Sequence, residues 1–361
     1  MTTARGGAED SVIELATNLA RLVPAVEVIW WRRDGPPASD AGNAQVHEVA
    51  SWSEYQHTLT RACSVERDRQ MVVISSHRTV AADVTLVPHA RVIPVVRHVV
   101  DAEQTLRVID PASGDLVERT IANLPWELLV TVPVWVGISH ASATALRHHA
   151  PRARHVVAIP NGVRIPAVVP ARARPKTGRL LLLATVARTV PWKRLDTLVH
   201  AVADPRLRIA TQLDVFGEPG SHQPDLERLV AELDAPVRFL GHVDDLPHQL
   251  AGYDLLVTAA VQEGFGRGVI DAAGVGVPAL VPTAGASPEL VIDGLTGRVY
   301  DPDKPAALVE ALLEAALDRA PLVRMGRSAR ALADAWYTPG RCAAQYLELL
   351  LDRQATPLAA A

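Results

Sequence analysis

The chain has 361 residues, which exceeds the usual size of one hydrophobic core and predicts about two domains. Hydrophobic residues make up 48% of it and the formal net charge is −4, so no basic excess indicates a nucleic-acid surface. Cys63 and Cys342 are too few for a disulfide framework, which is typical of the reducing cytoplasm. We therefore expect a cytoplasmic globular protein that binds a small or neutral partner and no nucleic acid.

Two stretches of the sequence bear on membranes. The opening residues, MTTARGGAED, are polar where the apolar core of a secretion signal would lie. The longest apolar run, LLVTVPVWVGI at 128–138, is too short to span a bilayer and contains Pro133. We expect a buried strand there and no export, while a peripheral contact with the inner face of the membrane is compatible with the sequence.

Short apolar runs alternate with segments of helical periodicity, a pattern typical of βαβ units and parallel sheets. A helix is predicted at SVIELATNLARL, residues 11–22, and a first series of strands at residues 26–30, 71–75, 91–96 and 134–139. The residues before the helix, MTTAR, do not fit the buried first strand that such a sheet usually has. We therefore expect the first sheet either to lack a strand or to begin upstream.

A linker separates the first series of strands from a second. Residues 163–178, VRIPAVVPARARPKTG, are rich in Pro and Arg and predict a stiff, exposed connection. Strands are then predicted in LLLLATV, QLDVFG, VRFLG, DLLVTAA and PALVPT, and a helix interrupted near Pro339 in residues 331–353. We expect an N-terminal domain at 1–163, a C-terminal domain at 164–332, and a crossover helix with tail at 333–361.

The segment EGFGRGVIDAAGVG, residues 263–276, is the strongest candidate for chemistry. Its acids, Glu263 and Asp271, stand eight residues apart, with glycines between them where a strand gives way to a helix. Glycines let backbone N–H groups approach an anion and a helix N-terminus attracts negative charge, so a pyrophosphate is a natural ligand. The acids would then hold hydroxyl groups. A plain tight turn with a solvated Asp271 is the alternative.

Two cations follow the first strand of the second series. Arg188 and Lys193 stand where LLLLATV ends and the next helix begins, at the edge of an open α/β sheet where ligands bind. Both can face a diphosphate and neutralise the charge that develops on a leaving nucleotide. Arginine is abundant in this chain, whereas Lys193 is one of three lysines, so the pair is more informative than Arg188 alone.

Taken together, these segments resemble the retaining GT-B glycosyltransferases of family four, the glycosyl transferases group 1. The resemblance covers roughly residues 139–353. It is carried by SHASATAL, IPNGV, Arg188 and Lys193, VFGEPG, VRFLGHVDD, YDLLVTAAVQEGFG and GVPALVPTAGASPELVIDGLTGRVYDPDK. Upstream it is limited to GGAEDSVIELATNLA and, weakly, VVISSHR and IPVVRHVVD. It implies an α/β fold of two Rossmann-like domains that face a cleft, with the C-terminal helix crossing back to the first domain.

The resemblance also implies roles for single residues. Glu263 would bind the donor sugar hydroxyls, and Asp271 would bind the ribose where the family carries a second, longer glutamate. By the same resemblance, the donor phosphates would be bound by Arg188, Lys193 and the backbone of Phe265, Gly266 and Gly268. The base would lie near Arg238 and Phe239. A donor phosphate would also face the glycine loop of the first domain at Gly6 and Gly7. The catalytic histidine of the acceptor domain matches His98, with His77 as the rival. We interpret His140 as structural.

The reaction implied by the resemblance retains the anomeric configuration. The acceptor hydroxyl would attack on the face that the nucleotide leaves, with a donor phosphate oxygen helping to take its proton and with Arg188, Lys193 and a helix N-terminus stabilising the diphosphate. We expect no metal or other cofactor beyond the nucleotide-sugar donor, and a small-molecule, glycan or glycolipid acceptor. Two alternatives stay open: an epimerase or phosphorylase on the same architecture, and a non-catalytic subunit that binds nucleotide or a partner transferase.

Overall fold

The structure, a computed structural model, describes residues 7–23, 25–31, 42–65, 73–76, 92–96, 105–110, 112–113, 115–120, 132, 134–149, 155–168 and 180–355. The chain divides into two compact units. Unit 1 comprises Met1–Gly162 and Pro339–Ala361, and unit 2 comprises Val163–Thr338. Each unit therefore has its own sheets and helices.

Helices and strands alternate along most of the described chain. The strands are β1 (Glu27–Trp31), β2 (Gln45–Val49), β3 (Val73–Ser76), β4 (Val92–Val96), β5 (Thr105–Ile109), β6 (Leu116–Thr120), β7 (Trp135–Gly137), β8 (Val156–Ala158), β9 (Leu181–Val186), β10 (Thr211–Phe216), β11 (Val237–Gly241), β12 (Leu255–Val257), β13 (Ala279–Pro282) and β14 (Gly297–Tyr300). The helices are α1 (Gly7–Leu19), α2 (Trp52–Val65), α3 (His140–His149), α4 (Leu195–Val202), α5 (Gln223–Leu233), α6 (Leu246–Leu250), α7 (Arg267–Ala273), α8 (Pro305–Leu317), α9 (Ala320–Trp336) and α10 (Pro339–Ala355). Two 3-10 turns, Pro191–Lys193 and Ser287–Leu290, complete the order.

Unit 1 contains three separate strand groups within its described residues. A parallel sheet has the order β3-β4-β7-β8, β1 pairs with β2 in parallel, and β5 pairs with β6 as an antiparallel hairpin. The sequence predicted β1, β3, β4 and β7 but missed β2, β8 and the hairpin. Between the two strands of the hairpin, the carboxylate of Asp110 accepts hydrogen bonds from the N–H groups of Ala112 and Ser113. The sequence DPASG at 110–114 is rich in residues that favour turns, so a turn could have been predicted there.

The C-terminal helix α10 belongs to unit 1, where it packs against α1. Cys342, Ala343 and Tyr346 are its buried positions, and Ile13, Ala16 and Leu19 are buried on α1. The interruption near Pro339 is also present, because α9 ends at Trp336 and α10 begins at Pro339. The prediction that this helix crosses back to the first domain is confirmed. None of the described helices has both the length and the apolar character that crossing a bilayer requires.

Unit 2 is built on a six-stranded parallel sheet of the order β11-β10-β9-β12-β13-β14. Its central strands are apolar on both faces, as parallel strands covered by helices usually are. Leu181 and Leu183 of β9 are fully buried and pack with Leu198 and Val199 of α4 and Leu213 of β10. The order of strands reverses between β9 and β12, because β10 and β11 extend the sheet in one direction and β12, β13 and β14 in the other.

Candidate functional site

The reversal of strand order in unit 2 defines the place where a ligand site is expected. In open α/β sheets, ligands bind beyond the carboxyl ends of the strands at such a switch point. Here the two loops that leave β9 and β12 flank it. The β9 loop carries Arg188 and Lys193, and the β12 loop carries Glu263. The topology therefore brings three of the sequence-predicted residues to one edge of one sheet.

The loop after β9 is held in place by the neighbouring loop after β10. The hydroxyl of Thr189, which is buried, accepts a hydrogen bond of 2.6 Å from the N–H group of Gly220. The backbone N–H of Thr189 donates to the carbonyl of Glu218 over 3.3 Å, and that of His222 to the carbonyl of Thr189 over 2.9 Å. The chain then enters the 3-10 turn with Pro191 in its first turn, where a fixed φ is favourable.

Lys193 ends that turn and forms an ion pair with Glu263. The Nζ atom donates a hydrogen bond to Oε2 of Glu263, across 70 residues of sequence. The two side chains are 15% and 17% exposed, so the pair is largely shielded from water and open at one side. The same Nζ lies 4.1 Å from the ring centroid of Trp192. The structure thus brings together two residues that the sequence placed in one site, and adds Trp192.

Arg188 differs from Lys193 in its surroundings. It is exposed, and its guanidinium has no hydrogen-bond or ion-pair partner in the part of the chain that the structure describes. The backbone of its neighbours is hydrogen-bonded, Ala187 to Phe216 at the end of β10 and Thr189 to the loop after β10, so the base of the Arg188 side chain is fixed while its charged end is available. Among the described residues Arg188 is therefore a cation without a partner, shortly before Lys193 in sequence and on the same sheet edge.

The glycines of the β12 loop have steric reasons to be glycines. Gly266 has a φ of 94° and stands just before α7, and a Cβ there would lie 3.2 Å from Oγ of Ser287. At Gly268, in the first turn of α7, a Cβ would lie 2.9 Å from Cβ of Val186 at the end of β9. These contacts bring the β12 loop and α7 close to the β9 edge. Whether the backbone of Phe265, Gly266 and Gly268 binds phosphate stays a prediction.

Asp271 lies on α7 and is 7% exposed. Its Oδ2 lies 3.7 Å from Nε of Arg267, one helical turn earlier. The simple alternative of a solvated Asp271 is therefore wrong, because the side chain is buried and close to a cation. The proposed ribose contact stays a prediction, and Arg267 is a charged neighbour that the sequence analysis did not single out.

Tyr337 connects the β12 loop to the second 3-10 turn. Its ring packs edge-on against Phe265, with 6.1 Å between ring centroids, and its hydroxyl donates a 3.1 Å hydrogen bond to the carbonyl of Glu289. Burial raises the pKa of the Tyr337 hydroxyl, and the negative charge of Glu289 raises it further. In that turn, Ser287 is fully buried and its Oγ has no hydrogen-bond partner among the described residues. Tyr337 was not predicted, since nothing in the sequence links it to Glu289 or to Phe265, which are far from it along the chain.

Arg238 and Phe239, predicted to lie near the base, have structural partners on β11. Arg238 donates to Asp214 of β10 from Nε over 2.8 Å and from Nη2 over 2.6 Å, and this raises the pKa of the guanidinium. Phe239 points to the other face and packs against the core cluster. Their contact with a nucleobase stays a prediction, and the structure adds a buried carboxylate, Asp214, that the sequence analysis overlooked.

The acceptor-side predictions lie mostly outside the described residues. His98, its rival His77 and Gly6 are not among them, while Gly7 is the first residue of α1. His140 begins α3 and is exposed. Beside it, the hydroxyl of Ser139 is buried and donates a 2.9 Å hydrogen bond to that of Ser142. The roles of Gly6, Gly7, His98 and His77 therefore stay predictions.

Comparisons of the sequence with known proteins find glycosyltransferases. Residues 180–318 match the family model described as glycosyl transferases group 1. The chain is 31% identical to D-inositol 3-phosphate glycosyltransferase of Streptomyces avermitilis over 60% of this chain and 52% of that protein. It is 29% identical to a GDP-mannose-dependent monoacylated alpha-(1-6)-phosphatidylinositol monomannoside mannosyltransferase of Corynebacterium glutamicum over 47% and 50%. The match thus spans about half the length of these relatives.

The fold has close counterparts among solved structures. The crystal structure of HepE from Anabaena in complex with UDP superposes with a TM-score of 0.75 over 98% of each chain, at 18% identity. At that identity the likeness speaks for the fold alone, and it confirms the predicted GT-B architecture. The chain thus has the GT-B fold, and its residues 180–318 are similar to the glycosyl transferases group 1 family.

Proposed function

We propose that this protein transfers a sugar from a nucleotide-diphosphate sugar to an acceptor hydroxyl with retention of the anomeric configuration. The observation that carries the proposal is the Lys193–Glu263 pair at the switch point of the unit 2 sheet. A cation and a carboxylate held side by side match the two ends of such a donor, which has an anionic diphosphate and a sugar rich in hydroxyl groups. The group 1 family match of residues 180–318 supports the same class of reaction.

On the donor side, Lys193 and Arg188 bind the diphosphate. An ammonium has three N–H donors, and Glu263 takes one from Lys193, so others remain for phosphate oxygens. Arg188 has no partner within the described residues and supplies a second cation. Glu263 keeps a second carboxylate oxygen for the hydroxyl groups of the sugar. Asp271 binds the ribose, and Arg238 and Phe239 lie near the base.

During transfer, negative charge grows on the departing diphosphate. Lys193 and Arg188 stabilise that charge more strongly in the transition state than in the bound donor, which is what accelerates a reaction. The acceptor hydroxyl attacks on the face from which the nucleotide departs, and a phosphate oxygen takes up its proton. These side-chain cations fill the role that a metal has in other transferases, so we propose that no metal or further cofactor is required.

Chemistry shared by the relatives supports a class of acceptor for this protein. Their names specify an inositol phosphate and a phosphatidylinositol mannoside, which are polyhydroxylated acceptors. We propose a small molecule, glycan or glycolipid of that kind, with His98 or His77 assisting on the acceptor side. A glycolipid acceptor would bring the protein to the inner face of the membrane from the cytoplasm.

A thermal-shift screen of nucleotide sugars, followed by product analysis, tests the proposal. A true donor stabilises the folded state by mass action, about 2.7 kcal/mol at 100 times its Kd. The anomeric configuration of the product, read by NMR, should equal that of the donor. An isomerised donor or a sugar phosphate formed without acceptor would favour the epimerase or phosphorylase alternative. Tight nucleotide binding with no turnover would favour the non-catalytic subunit.

A further inference from the structure

The 3-10 turn Pro191–Lys193 holds an aromatic ring next to the candidate site, and no function has yet been given to it. We propose that Trp192 is a positioning residue that holds the ammonium group of Lys193 in place through a cation–π contact, so that its charge stays available to a diphosphate. The proposal rests on the proposed function of the Lys193–Glu263 pair and names a residue that neither the sequence nor the family match singled out.

The geometry is that of a cation held from two sides. Nζ of Lys193 lies 4.1 Å from the centroid of the Trp192 ring, well within the 6 Å range of such contacts. From another direction, Nζ donates to Oε2 of Glu263. The side chain of Lys193 is only 15% exposed, so water competes weakly for the ammonium. Trp192 itself is 38% exposed, so most of its surface is covered although its side chain is at the protein surface.

The two partners of Lys193 act differently on its charge. A carboxylate neutralises the ammonium and occupies one of its N–H donors. An aromatic face attracts the ammonium through its quadrupole, yet it adds no formal charge and needs no N–H donor of its own. A flexible lysine also loses side-chain entropy when it is fixed in one conformation. The contact with the ring therefore restricts the Lys193 side chain before the donor binds, and the ammonium group still attracts phosphate.

Lysine-selective NMR tests the contact independently of any ligand. The full-length chain contains three lysines, so a sample labelled with 13C at lysine Cε gives three signals, and Lys193→Arg identifies the relevant one. We expect the Lys193 signal to be shifted by the ring current of Trp192, to move to the position of an exposed lysine in Trp192→Leu, and to keep part of its shift in Trp192→Phe. An unchanged Lys193 signal in Trp192→Leu overturns the proposal.

Titration with UDP, GDP and ADP tests the consequence of the contact. For whichever nucleotide the wild type binds, Trp192→Leu should weaken the affinity about 3- to 10-fold, the range a cation–π contact supports, and Trp192→Phe should recover much of it. Ile209→Ala, which removes another exposed apolar side chain of unit 2, should change neither the NMR signal nor the affinity.

The two readouts separate failure of the contact from failure of the proposed function. Equal losses in Trp192→Leu and Trp192→Phe overturn the positioning role, because the size of the side chain would then matter rather than its ring. An affinity that Trp192→Leu leaves unchanged overturns it as well. Wild-type protein that binds none of the three diphosphates overturns the proposed function, and the Lys193 NMR signal still decides whether the ring holds the ammonium.

Discussion

Two carboxylates of unit 2 are each paired with a cation, and their surroundings differ. Asp214, in the middle of β10, is 1% exposed and accepts hydrogen bonds from Arg238, from the Tyr253 hydroxyl over 2.6 Å and from Gln212 over 3.3 Å. The side chain of Glu263, in the loop after β12, is 17% exposed, and its carboxylate has one partner in the described part of the chain, Lys193. The two pairs cannot be told apart in the sequence, because in each the acid and its cation are separated by many residues.

The comparison shows how a structural ion pair differs from a candidate binding pair. Both carboxylate oxygens of Asp214 accept hydrogen bonds from neighbouring side chains. Burial raises the pKa of the Tyr253 hydroxyl, and its hydrogen bond to Asp214 raises it further. A network with every group satisfied stabilises one conformation. Glu263 and Lys193 keep unused hydrogen-bonding capacity at the carboxyl edge of the sheet, where a ligand can supply the missing partners. The following predictions test that distinction.

The largest effect is expected when the edge pair is broken. Lys193→Ala and Glu263→Ala should each lower the rate of sugar transfer at least about 100-fold, as loss of a group that stabilises transition-state charge does. Unfolding midpoints should also fall, because each substitution leaves the largely buried partner of the pair without its counter-charge, so rates are compared at a temperature at which every variant is folded. Initial rates and thermal melts measure the two effects. Lys304→Ala, which removes a lysine paired with Asp301 at 75% exposure, is the matched control and should retain full activity. Full turnover in both edge variants would contradict the assignment.

The next largest effect is on stability, at the strand pair. Asp214→Asn should lower the free energy of unfolding by about 2 kcal/mol, less than the 3–5 kcal/mol of a fully buried pair because Arg238 is 60% exposed. Denaturant titration measures it. Asp225→Asn, which breaks the exposed pair between Asp225 and Arg228 on α5, should cost less than about 1 kcal/mol. If the two substitutions cost the same, the contrast in burial has no energetic meaning.

A smaller effect is expected at the unpaired cation. Arg188→Ala should weaken binding of a nucleoside diphosphate about tenfold at low salt, and the difference should shrink as salt screens the charge. Isothermal titration at two ionic strengths measures it. Arg228→Ala removes an equally ordinary exposed arginine of unit 2 and should leave binding unchanged. A loss for Arg188→Ala that does not respond to salt would argue for a steric role instead.

The smallest effect is expected at the support of the β12 loop. Tyr337→Phe keeps the ring against Phe265 and deletes the hydrogen bond to the carbonyl of Glu289. We expect a loss of about 1 kcal/mol in the free energy of unfolding, the usual net value of one such bond. Tyr337→Leu removes the aromatic contact as well and should also reduce transfer. If it leaves both stability and transfer unchanged, Tyr337 does not support the loop.

Much of unit 2 could be predicted from its sequence. Buried parallel strands are continuous apolar runs, so LLLLATV and DLLVTAA are recognisable as β9 and β12 from composition alone. Edge positions such as Lys193 and Glu263 follow from where those runs end. In unit 1, β2 mixes polar and apolar residues, β8 has only three residues, and the β5–β6 hairpin breaks the alternation of strands and helices. The sequence pattern of βαβ units therefore does not reveal these strands.

The partners of the site residues could not be predicted in the same way. Asp214 pairs with Arg238 because neighbouring strands place them in register, and the strand order is not legible from local sequence. The same holds for Tyr337 and Phe265, which meet only after the chain has folded. Trp192 had a visible signal, since it adjoins one of three lysines, but sequence gives no distance between a ring and an ammonium group.

The most direct test of the account is whether nucleoside diphosphates bind at the Lys193–Glu263 edge. UDP, GDP and ADP are each added to wild-type protein, Lys193→Ala and Lys304→Ala, and the thermal midpoint is recorded. At least one diphosphate should raise the midpoint of the wild type and of Lys304→Ala by the same amount, and the rise should be largely lost in Lys193→Ala. An equal rise in all three proteins would contradict the placement of the donor site at this edge.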